Sequence, residues 1–311
     1  MEEAAASGVP AEHREWVERL RHGGPTPLSL HSAPNSWTCP PSHLFSVRGA
    51  DYMKTKAKVP ASDSLLLPLA FDFLKGSSQI SKFMNHPHSR VRAALDAALR
   101  DCSHPQHQPF VWAFNFQLDI KTHYSLIYYF VSFSSPPEGS LMQKFLDGDN
   151  DFRNSRLKLL TRFPEAPWLV QVVLGERWPV CVIGKMVKCS YTREKHYMEV
   201  DVDVGSTMVT GTAVNLTFRL TPHVVTDIAF ALEGIDPDEL PERILGAMRI
   251  VKAELSTATY VDMLEGSAAN DTAREGMNTD KGTGTAAPQG IKARLMKWSR
   301  SAASNSEAGF K

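Results

Sequence analysis

The stretch "YMEVDVDVGS" (197–206) alternates between apolar and acidic side chains. Val200 and Val202 fall on one parity, and Glu199, Asp201 and Asp203 fall on the other. Alternation with a period of two is typical of a β-strand that buries one of its faces. The stretch therefore predicts a strand whose valines face a core and whose three carboxylates face water.

The same three carboxylates raise the question of a chemical site. Neighbours on one face of a strand lie roughly 6.5–7 Å apart, so a shared cation would need oxygen ligands from another segment. Acid–base chemistry would need an apolar pocket that raises the pKa of one carboxyl, and the neighbouring sequence supplies none. We interpret the row as a solvated strand face with arginine or lysine partners, with no metal and no cofactor.

Further strands and helices are predicted on both sides of this stretch. The segments 110–119 and 123–133 are separated by a short connector and predict an antiparallel hairpin. Other strands are predicted at 43–48, 65–74, 180–191 and 195–204, and helices at 89–101 and within 150–162. No strand leads into the glycine-rich turn and helix of a dinucleotide-binding fold. The predicted class is α+β, with a mainly antiparallel sheet and packed helices.

The most apolar segment of the chain, 206–233, follows the acidic stretch directly. Arg219, Pro222, His223 and Asp227 interrupt it, which would make a membrane span costly. We predict two helical segments, broken near Pro222 and buried against the sheet. An alternative role for this apolar wall is to line a ligand cavity that the sheet and the helices enclose.

Composition limits the classes of partner and the location. The chain has 34 basic and 34 acidic residues, and this balance argues against a nucleic-acid partner. The four cysteines show no C-x-x-C spacing, which indicates reduced thiols. No window reaches the roughly 18 apolar residues of a membrane span, and the first residues do not form a secretory signal. We expect a cytoplasmic protein, peripheral to endomembranes.

Three regions are predicted along the chain. Residues 1–34 form an N-terminal extension with a short helix inside 11–24, and residues 35–257 form the folded domain. Residues 258–311 are rich in small and polar residues, which bury too little apolar surface to offset the entropy of ordering. We therefore predict a disordered tail there, with a short basic amphipathic segment at 290–300.

A basic cluster is the best candidate for binding an anionic ligand. It consists of Arg153, Arg156, Lys158 and Arg162. Arg153 and Arg156 are three residues apart, so they face the same way on a helix. Such clusters are typical of contacts with phosphate or with anionic lipid headgroups. The alternative is that the four cations pair with carboxylates of the chain itself, and the sequence leaves both interpretations open.

The sequence predicts no enzyme, because its candidate metal ligands and catalytic residues do not form a known motif. Cys102, His104 and His107 offer three ligands within a turn-rich loop, but no second Cys/His pair follows at a zinc-site spacing. The sequence also has no nucleophile elbow, no P-loop and no H-E-x-x-H motif.

Several motifs occur in a fixed order through the folded part. They include "FSVRGADYMKTKAKVPA" (45–61), "KFLDGDNDFRNSRLKLL" (144–160), "YMEVDVDVGS" and "ELPERILGAMRI" (239–250). Together they resemble the C-terminal domain of plant Enhanced Disease Resistance 2 proteins, over roughly residues 35–257. The chain leaves no room for the pleckstrin-homology and lipid-transfer (START) domains of longer members, so it resembles a stand-alone short form. The positions that match the family pattern are Trp37, Arg48, Gly49, Tyr52, Asp72, Asp147, Gly148, Arg153, Glu199, Asp201, Asp203, Gly205, Pro241, Glu242, Gly246 and Arg249.

The resemblance implies association with lipids and endomembranes and a part in regulating plant defence or cell death. It implies no catalytic residue. We therefore predict a non-enzymatic lipid- or membrane-associated binding module, whose partner is a lipid or an anionic membrane surface. The alternative is a protein-interaction scaffold without an internal ligand, in which the acidic row meets a basic protein partner.

Overall fold

Two β-sheets packed face to face form the centre of the fold. The computed structural model describes residues 8–102, 104, 107–120, 122–168, 180–206 and 218–263. The strands are β1 (Ser36–Thr38), β2 (Ser46–Arg48), β3 (Lys58–Pro60), β4 (Leu67–Gly76), β5 (Phe110–Asp119), β6 (His123–Ser132), β7 (Leu157–Glu165), β8 (Val180–Val182), β9 (Lys188–Arg193), β10 (Tyr197–Asp203), β11 (Val225–Leu232), β12 (Ile244–Val251) and β13 (Thr259–Tyr260). The α-helices are α1 (Arg14–His22), α2 (Tyr52–Thr55), α3 (Arg90–Asp101), α4 (Leu141–Asp147), α5 (Asn150–Arg156) and α6 (Ile183–Met186).

The strands form a five-stranded sheet, a six-stranded sheet and a separate hairpin. The five-stranded sheet has the order β1-β12-β11-β7-β8, and all its pairings are antiparallel. The six-stranded sheet has the order β13-β4-β6-β5-β10-β9, with parallel pairings only at β13–β4 and β10–β5. The predicted β5–β6 hairpin is confirmed, and so is the α+β class with mainly antiparallel pairing.

Aromatic side chains fill the space between the two sheets. The rings of Phe114 on β5 and Phe230 on β11 stack with their centroids 3.9 Å apart. Trp37, Trp112 and Phe130 are fully buried in the same cluster. Such dense packing between inner faces is typical of a β-sandwich core. The inner faces of the sheets are therefore held together directly by side chains.

A helical layer covers the opposite face of the six-stranded sheet. Trp16 and Val17 of α1 pack with Val91 and Leu95 of α3 against Tyr129 of β6. The helix predicted at 89–101 is confirmed as α3, whose first turn is capped because the Ser89 hydroxyl accepts from the backbone N–H of residue 92. The helix predicted inside 11–24 is confirmed as α1. This helix packs on the sheet, whereas the boundary predicted at residue 34 stays a prediction.

The structure confirms one helix prediction and corrects another. The helix predicted within 150–162 is confirmed as α5, whereas residues 225–232, predicted as helix within 206–233, form the strand β11. β11 has buried residues on both faces, so its apolar residues continue without alternation. Periodicity cannot distinguish such a run from a buried helix. Residues 207–217 of the apolar segment, the predicted amphipathic segment 290–300 and most of the predicted tail lie outside the described residues.

Candidate functional site

The first predicted basic residues, Arg153 and Arg156, lie on α5 and are nearly buried, with 9% and 7% of their surface exposed. The Arg153 guanidinium donates to the carbonyls of Phe145 and Leu146, at 3.0 and 2.7 Å. Burial lowers the pKa of Arg153 from its usual value, while the Tyr191 side chain acts in the opposite direction. Arg153 therefore ties α5 to the end of α4.

Arg156 and Lys158 enter an ion-pair network with the connector between β11 and β12. The Arg156 guanidinium donates to Glu239 at 2.5 Å, and the Lys158 ammonium donates to Glu242 at 2.5 Å. Glu233 lies 3.0 Å from Lys158. Although burial acts to raise it, the Lys158 ammonium holds the pKa of Glu233 below its usual value. Arg48 joins this network, as described below.

The fourth cation, Arg162, shares a buried carboxylate with Arg249. Asp227 has no exposed surface, and it accepts from Arg162 at 3.1 Å and from Arg249 at 2.6 and 2.9 Å. Arg156, Lys158 and Arg162 therefore pair with carboxylates of the chain, as the alternative interpretation of the cluster predicted, whereas Arg153 is held by backbone carbonyls. The headgroup site predicted at Arg153, Arg156, Lys158 and Arg162 stays a prediction, and the contacts favour a role in holding the domain together.

The acidic row is not the solvated face that the alternation predicts. Its valines do face the core between the sheets, but Glu199 is 1% exposed and Asp201 is 4% exposed, and only Asp203 is half-buried. The carboxylates lie beneath a loop of residues 80–85, here called the covering loop. β10 is an inner strand of the six-stranded sheet, between β5 and β9, and the loop packs on its outer face.

The prediction that arginine or lysine side chains pair with this acidic row is also wrong. Glu199 accepts from the backbone N–H groups of Phe83 and Met84, at 2.8 and 2.9 Å. Asp201 accepts from the backbone N–H of Lys82 at 3.0 Å and from the side-chain amide of Asn115 at 2.8 Å. Backbone N–H groups supply hydrogen bonds without supplying a positive charge, so the pair is solvated by the loop instead of neutralised by a cation.

Burial dominates the electrostatics of this pair. It raises the pKa of Glu199 to about 8, and the Asp201 charge acts in the same direction. Burial also raises the pKa of Asp201, against the hydrogen bonds from Lys82 and Asn115. A carboxyl at these positions is therefore harder to ionise than one in water.

The residues that match the family pattern serve the fold in three ways. Trp37 and Gly246 lie in the core between the sheets, where a side chain on Gly246 would overlap the Phe130 ring. The charged residues held by internal contacts are Arg48, Asp72, Arg153, Glu199, Asp201, Glu242 and Arg249. The residues at turns, at strand or helix ends and in short helices are Gly49, Tyr52, Asp147, Gly148, Asp203, Gly205 and Pro241.

A basic surface lies on the hairpin of β2 and β3, and the sequence predictions missed it. Lys54, Lys56 and Lys58 all project into solvent, and so does the apolar Val59, which is 40% exposed. In the part of the chain that the structure describes, no carboxylate lies within ion-pairing distance of the three ammonium groups. We call residues 52–60 the basic hairpin. The K-x-K-x-K spacing was the signal that could have found it.

The base of the basic hairpin is fixed to the ion-pair network. Arg48 donates to Glu233 at 2.9 Å and to the carbonyl of Gly234 at 2.7 Å. Its guanidinium carbon lies 4.7 Å from the centroid of the Tyr52 ring, and the Lys56 ammonium lies 5.5 Å from the same centroid. Contacts of this kind between cations and rings are attractive. The lysines therefore project from a support with fixed geometry.

One group of side chains among the described residues brings possible metal ligands together. Glu12, His13 and Cys102 place their ligand atoms within 4.8 Å of one another. However, His13 Nδ1 accepts from the Trp16 indole at 3.0 Å, and Nε2 lies 2.8 Å from the His107 carbonyl. This geometry places the ring proton on Nε2, which leaves that nitrogen without a lone pair for a metal. The arrangement is that of a buried structural histidine.

Two surface depressions are formed by described residues. One of about 140 Å³ lies between α1 and α3, and one of about 290 Å³ is lined by residues that include Arg249 and Lys252. Lys252 pairs with Glu165 at 2.7 Å. None of the helices that the structure describes is long and apolar enough to cross a bilayer.

Comparison with known proteins identifies relatives of the chain. A family model described as "Protein ENHANCED DISEASE RESISTANCE 2, C-terminal" matches residues 37–254. A curated Arabidopsis thaliana protein, "Protein ENHANCED DISEASE RESISTANCE 2-like", is 35% identical over 227 residues, which cover 73% of this chain and 30% of that relative. The chain thus spans less than a third of the length of this relative. No solved structure matches the chain significantly.

Proposed function

Because the chain belongs to the family of Enhanced Disease Resistance 2 C-terminal domains, which is related to plant defence, we propose that it is a non-enzymatic module that associates with membranes. It binds the anionic surface of a membrane through the basic hairpin. The observation that carries this proposal is the exposure of Lys54, Lys56 and Lys58 without carboxylate partners among the described residues.

The charge and the apolar content of this surface both support the proposal. A lysine near an anionic leaflet contributes about 1 kcal/mol of binding free energy. Val59 on the hairpin and Ile235, next to the Gly234 carbonyl that Arg48 contacts, are 40% and 45% exposed. Basic residues together with exposed apolar side chains are typical of surfaces that lie in the interfacial region of a bilayer. The proposed ligand is therefore a membrane surface instead of a lipid held inside the domain.

The state of the buried charged groups supports a non-enzymatic role. Glu199 and Asp201 point at backbone N–H groups of the covering loop, and Asp227 and Glu242 are taken up by internal ion pairs. Groups engaged in this way serve the packing of the domain. We therefore place the binding function on the surface of the domain. The buried charged groups stabilise the fold.

A vesicle-binding experiment tests this function. The full chain is sedimented with phosphatidylcholine vesicles that contain or lack phosphatidylserine, and the double charge reversal Lys54→Glu/Lys58→Glu is compared with Lys188→Glu/Lys195→Glu. The control pair is also exposed and changes the net charge equally. We expect binding only to the anionic vesicles, a loss of tenfold or more for the hairpin variant, and an unchanged melting temperature.

An equal loss in both variants would mean that only net charge matters and would contradict the assignment to the hairpin. Binding of neither vesicle by the folded wild-type chain would contradict the membrane proposal itself. That result would favour the protein-interaction scaffold predicted as the alternative.

A further inference from the structure

Two interacting carboxyl groups lie in the interior, and no cationic side chain among the described residues is bonded to them. Glu199 and Asp201 occupy alternate positions of β10, on the face that the covering loop closes. In the described part of the chain, their hydrogen-bond donors are three consecutive backbone N–H groups of this loop and the Asn115 amide. The side-chain amides of Asn115 and Gln117 also donate to the backbone carbonyl of Ile80. Side chains of the sheet therefore bind both carbonyl and N–H groups of this loop.

The charged groups around the pair do not neutralise it. Lys82 in the covering loop acts on Asp201, and Glu199 interacts electrostatically with Tyr129 on β6 and Tyr197 on β10. The other charged side chains that interact with these two tyrosines are Asp72 on β4 and Arg90 and Arg92 on α3. Arg90 is bonded to Asp72 at 2.7 Å, and Arg92 to Asp96 at 2.9 Å. The Lys82 side chain is exposed and acts on Asp201 only through its electric field.

Two adjacent carboxylates cannot both ionise cheaply in such a place. Removing a charge from water costs several kcal/mol even after the protein relaxes, and a like charge nearby adds to that cost. A single negative charge can be stabilised by the N–H donors that the loop and Asn115 provide. We propose that Glu199 and Asp201 share one proton in the folded protein, and that this pair is a pH-sensitive latch that keeps the covering loop on the sheet.

The raised pKa of Glu199, about 8, fits this arrangement, because a shared proton stays bound above the usual range of a carboxyl. A folded-state pKa above the unfolded value means that the folded state binds more protons in the interval between the two values. The stability of the protein therefore falls as pH rises from about 4.5 to about 8. Above this interval both groups are charged, and the covering loop opens more often.

The covering loop connects this latch to the last described residues of the chain. His86, which follows the loop, places its Nε2 3.2 Å from the carbonyl of Asp262. Val261 donates its backbone N–H to the carbonyl of Lys75, which precedes the loop. Opening of the loop therefore loosens the attachment of residues 261–263 as well.

Carboxyl titration by NMR tests the shared proton in the unmodified protein. The side-chain carboxyl carbons of Glu199 and Asp201 are followed between pH 4 and pH 10. We expect one of the two macroscopic ionisations to lie well above the range of ordinary carboxyls. Two ordinary titrations would overturn the proposal, and this measurement needs no variant that folds.

Hydrogen exchange tests the latch itself. Protection factors of the amides of residues 82–84, corrected for the intrinsic effect of pH, are measured at pH 6 and pH 9 in the wild type, Glu199→Gln, Asp201→Asn and Asp203→Asn. Between pH 6 and pH 9, we expect these protection factors to fall tenfold or more in the wild type and in the control Asp203→Asn. In Glu199→Gln and Asp201→Asn we expect them to stay nearly constant. Constant protection in the wild type would overturn the latch, as would an equal fall in all four proteins.

Discussion

At the scale of single residues, Glu242 joins three segments of the chain. Its carboxylate accepts from the Lys158 ammonium at 2.5 Å, from the backbone N–H of Arg48 at 3.0 Å and from the backbone N–H of Gly234 at 3.1 Å. Only 3% of Glu242 and 4% of Lys158 are exposed. Charges buried in this way stabilise a fold only while both partners are present.

Removing Glu242 should therefore be costly. We expect Glu242→Ala to lower the free energy of unfolding by about 3–5 kcal/mol, because Lys158 would stay buried with one carboxylate fewer. The matched control is Glu165→Ala, which removes the partner of Lys252 in a pair where Glu165 is 59% exposed. We expect that change to cost at most about 1 kcal/mol. Urea denaturation measures both, and similar losses would contradict the importance of the network.

The sequence indicated the cations of this network, but it did not indicate which carboxylates bind them. The cations cluster at 153–162, whereas the carboxylates that bind Arg156 and Lys158 follow 83 and 84 residues later. The burial of Glu199 was missed for a similar reason, since the loop that covers it lies 116 residues earlier in the chain. A local pattern shows which side chains share a strand face, but it does not show which distant segment packs on that face.

At the scale of elements, β12 packs tightly on β6 where Gly246 faces the Phe130 ring. A Cβ atom on Gly246 would lie 2.3 Å from Cδ1 of the Phe130 ring, which is too short for any non-bonded contact. Phe130 itself is fully buried among other aromatic rings. The glycine thus sets the spacing between the sheets at this point.

Gly246→Ala should destabilise the domain by overpacking. We expect a loss of about 1–3 kcal/mol in the free energy of unfolding, because the Phe130 ring has no free space to enter. Gly205→Ala is the control, since a Cβ there would meet its nearest atom at an ordinary 3.6 Å. Thermal unfolding separates the two variants. Equal melting temperatures would show that the sheets can adjust.

Elements marked by alternation, by a short hairpin connector or by a capping residue could be predicted from the sequence, whereas β11, which carries none of these signals, could not. The β5–β6 hairpin and α3 were predicted close to their observed bounds. β11 was predicted as helix because apolar residues dominate its sequence without strict alternation. In the structure Ala229, Phe230, Ala231 and Leu232 are buried in succession. Its neighbours on both sides, β7 and β12, are what make it a strand. The basic hairpin was overlooked because its lysines carry no apolar pattern.

At the scale of the whole molecule, the packed interior and the exposed hairpin favour action at a surface. Stacked rings such as Phe114 and Phe230 occupy the space between the sheets. The covering loop and the two helices close the other face of the six-stranded sheet. The lysines of the basic hairpin project into solvent beside exposed Val59. A lipid ligand is therefore expected to stay in its membrane.

The salt dependence of binding distinguishes electrostatic binding to a membrane surface from binding of a lipid inside the protein. At 1 M salt the screening length is about 3 Å, so the attraction between the lysines and an anionic membrane is largely lost. We expect vesicle binding to fall steeply between 0.1 M and 1 M salt. A lipid held inside the protein would stay bound, because apolar contacts do not weaken in salt. Binding that is insensitive to salt would contradict the electrostatic mode.

Hydrogen exchange on vesicles tests the membrane proposal most directly. The full chain is compared with and without anionic vesicles, peptide by peptide, at 0.1 M salt. We expect protection to increase in peptides covering residues 52–60 and around Ile235, and not at the control residues Lys188 and Lys195. Increased protection elsewhere with no change in residues 52–60 would contradict it.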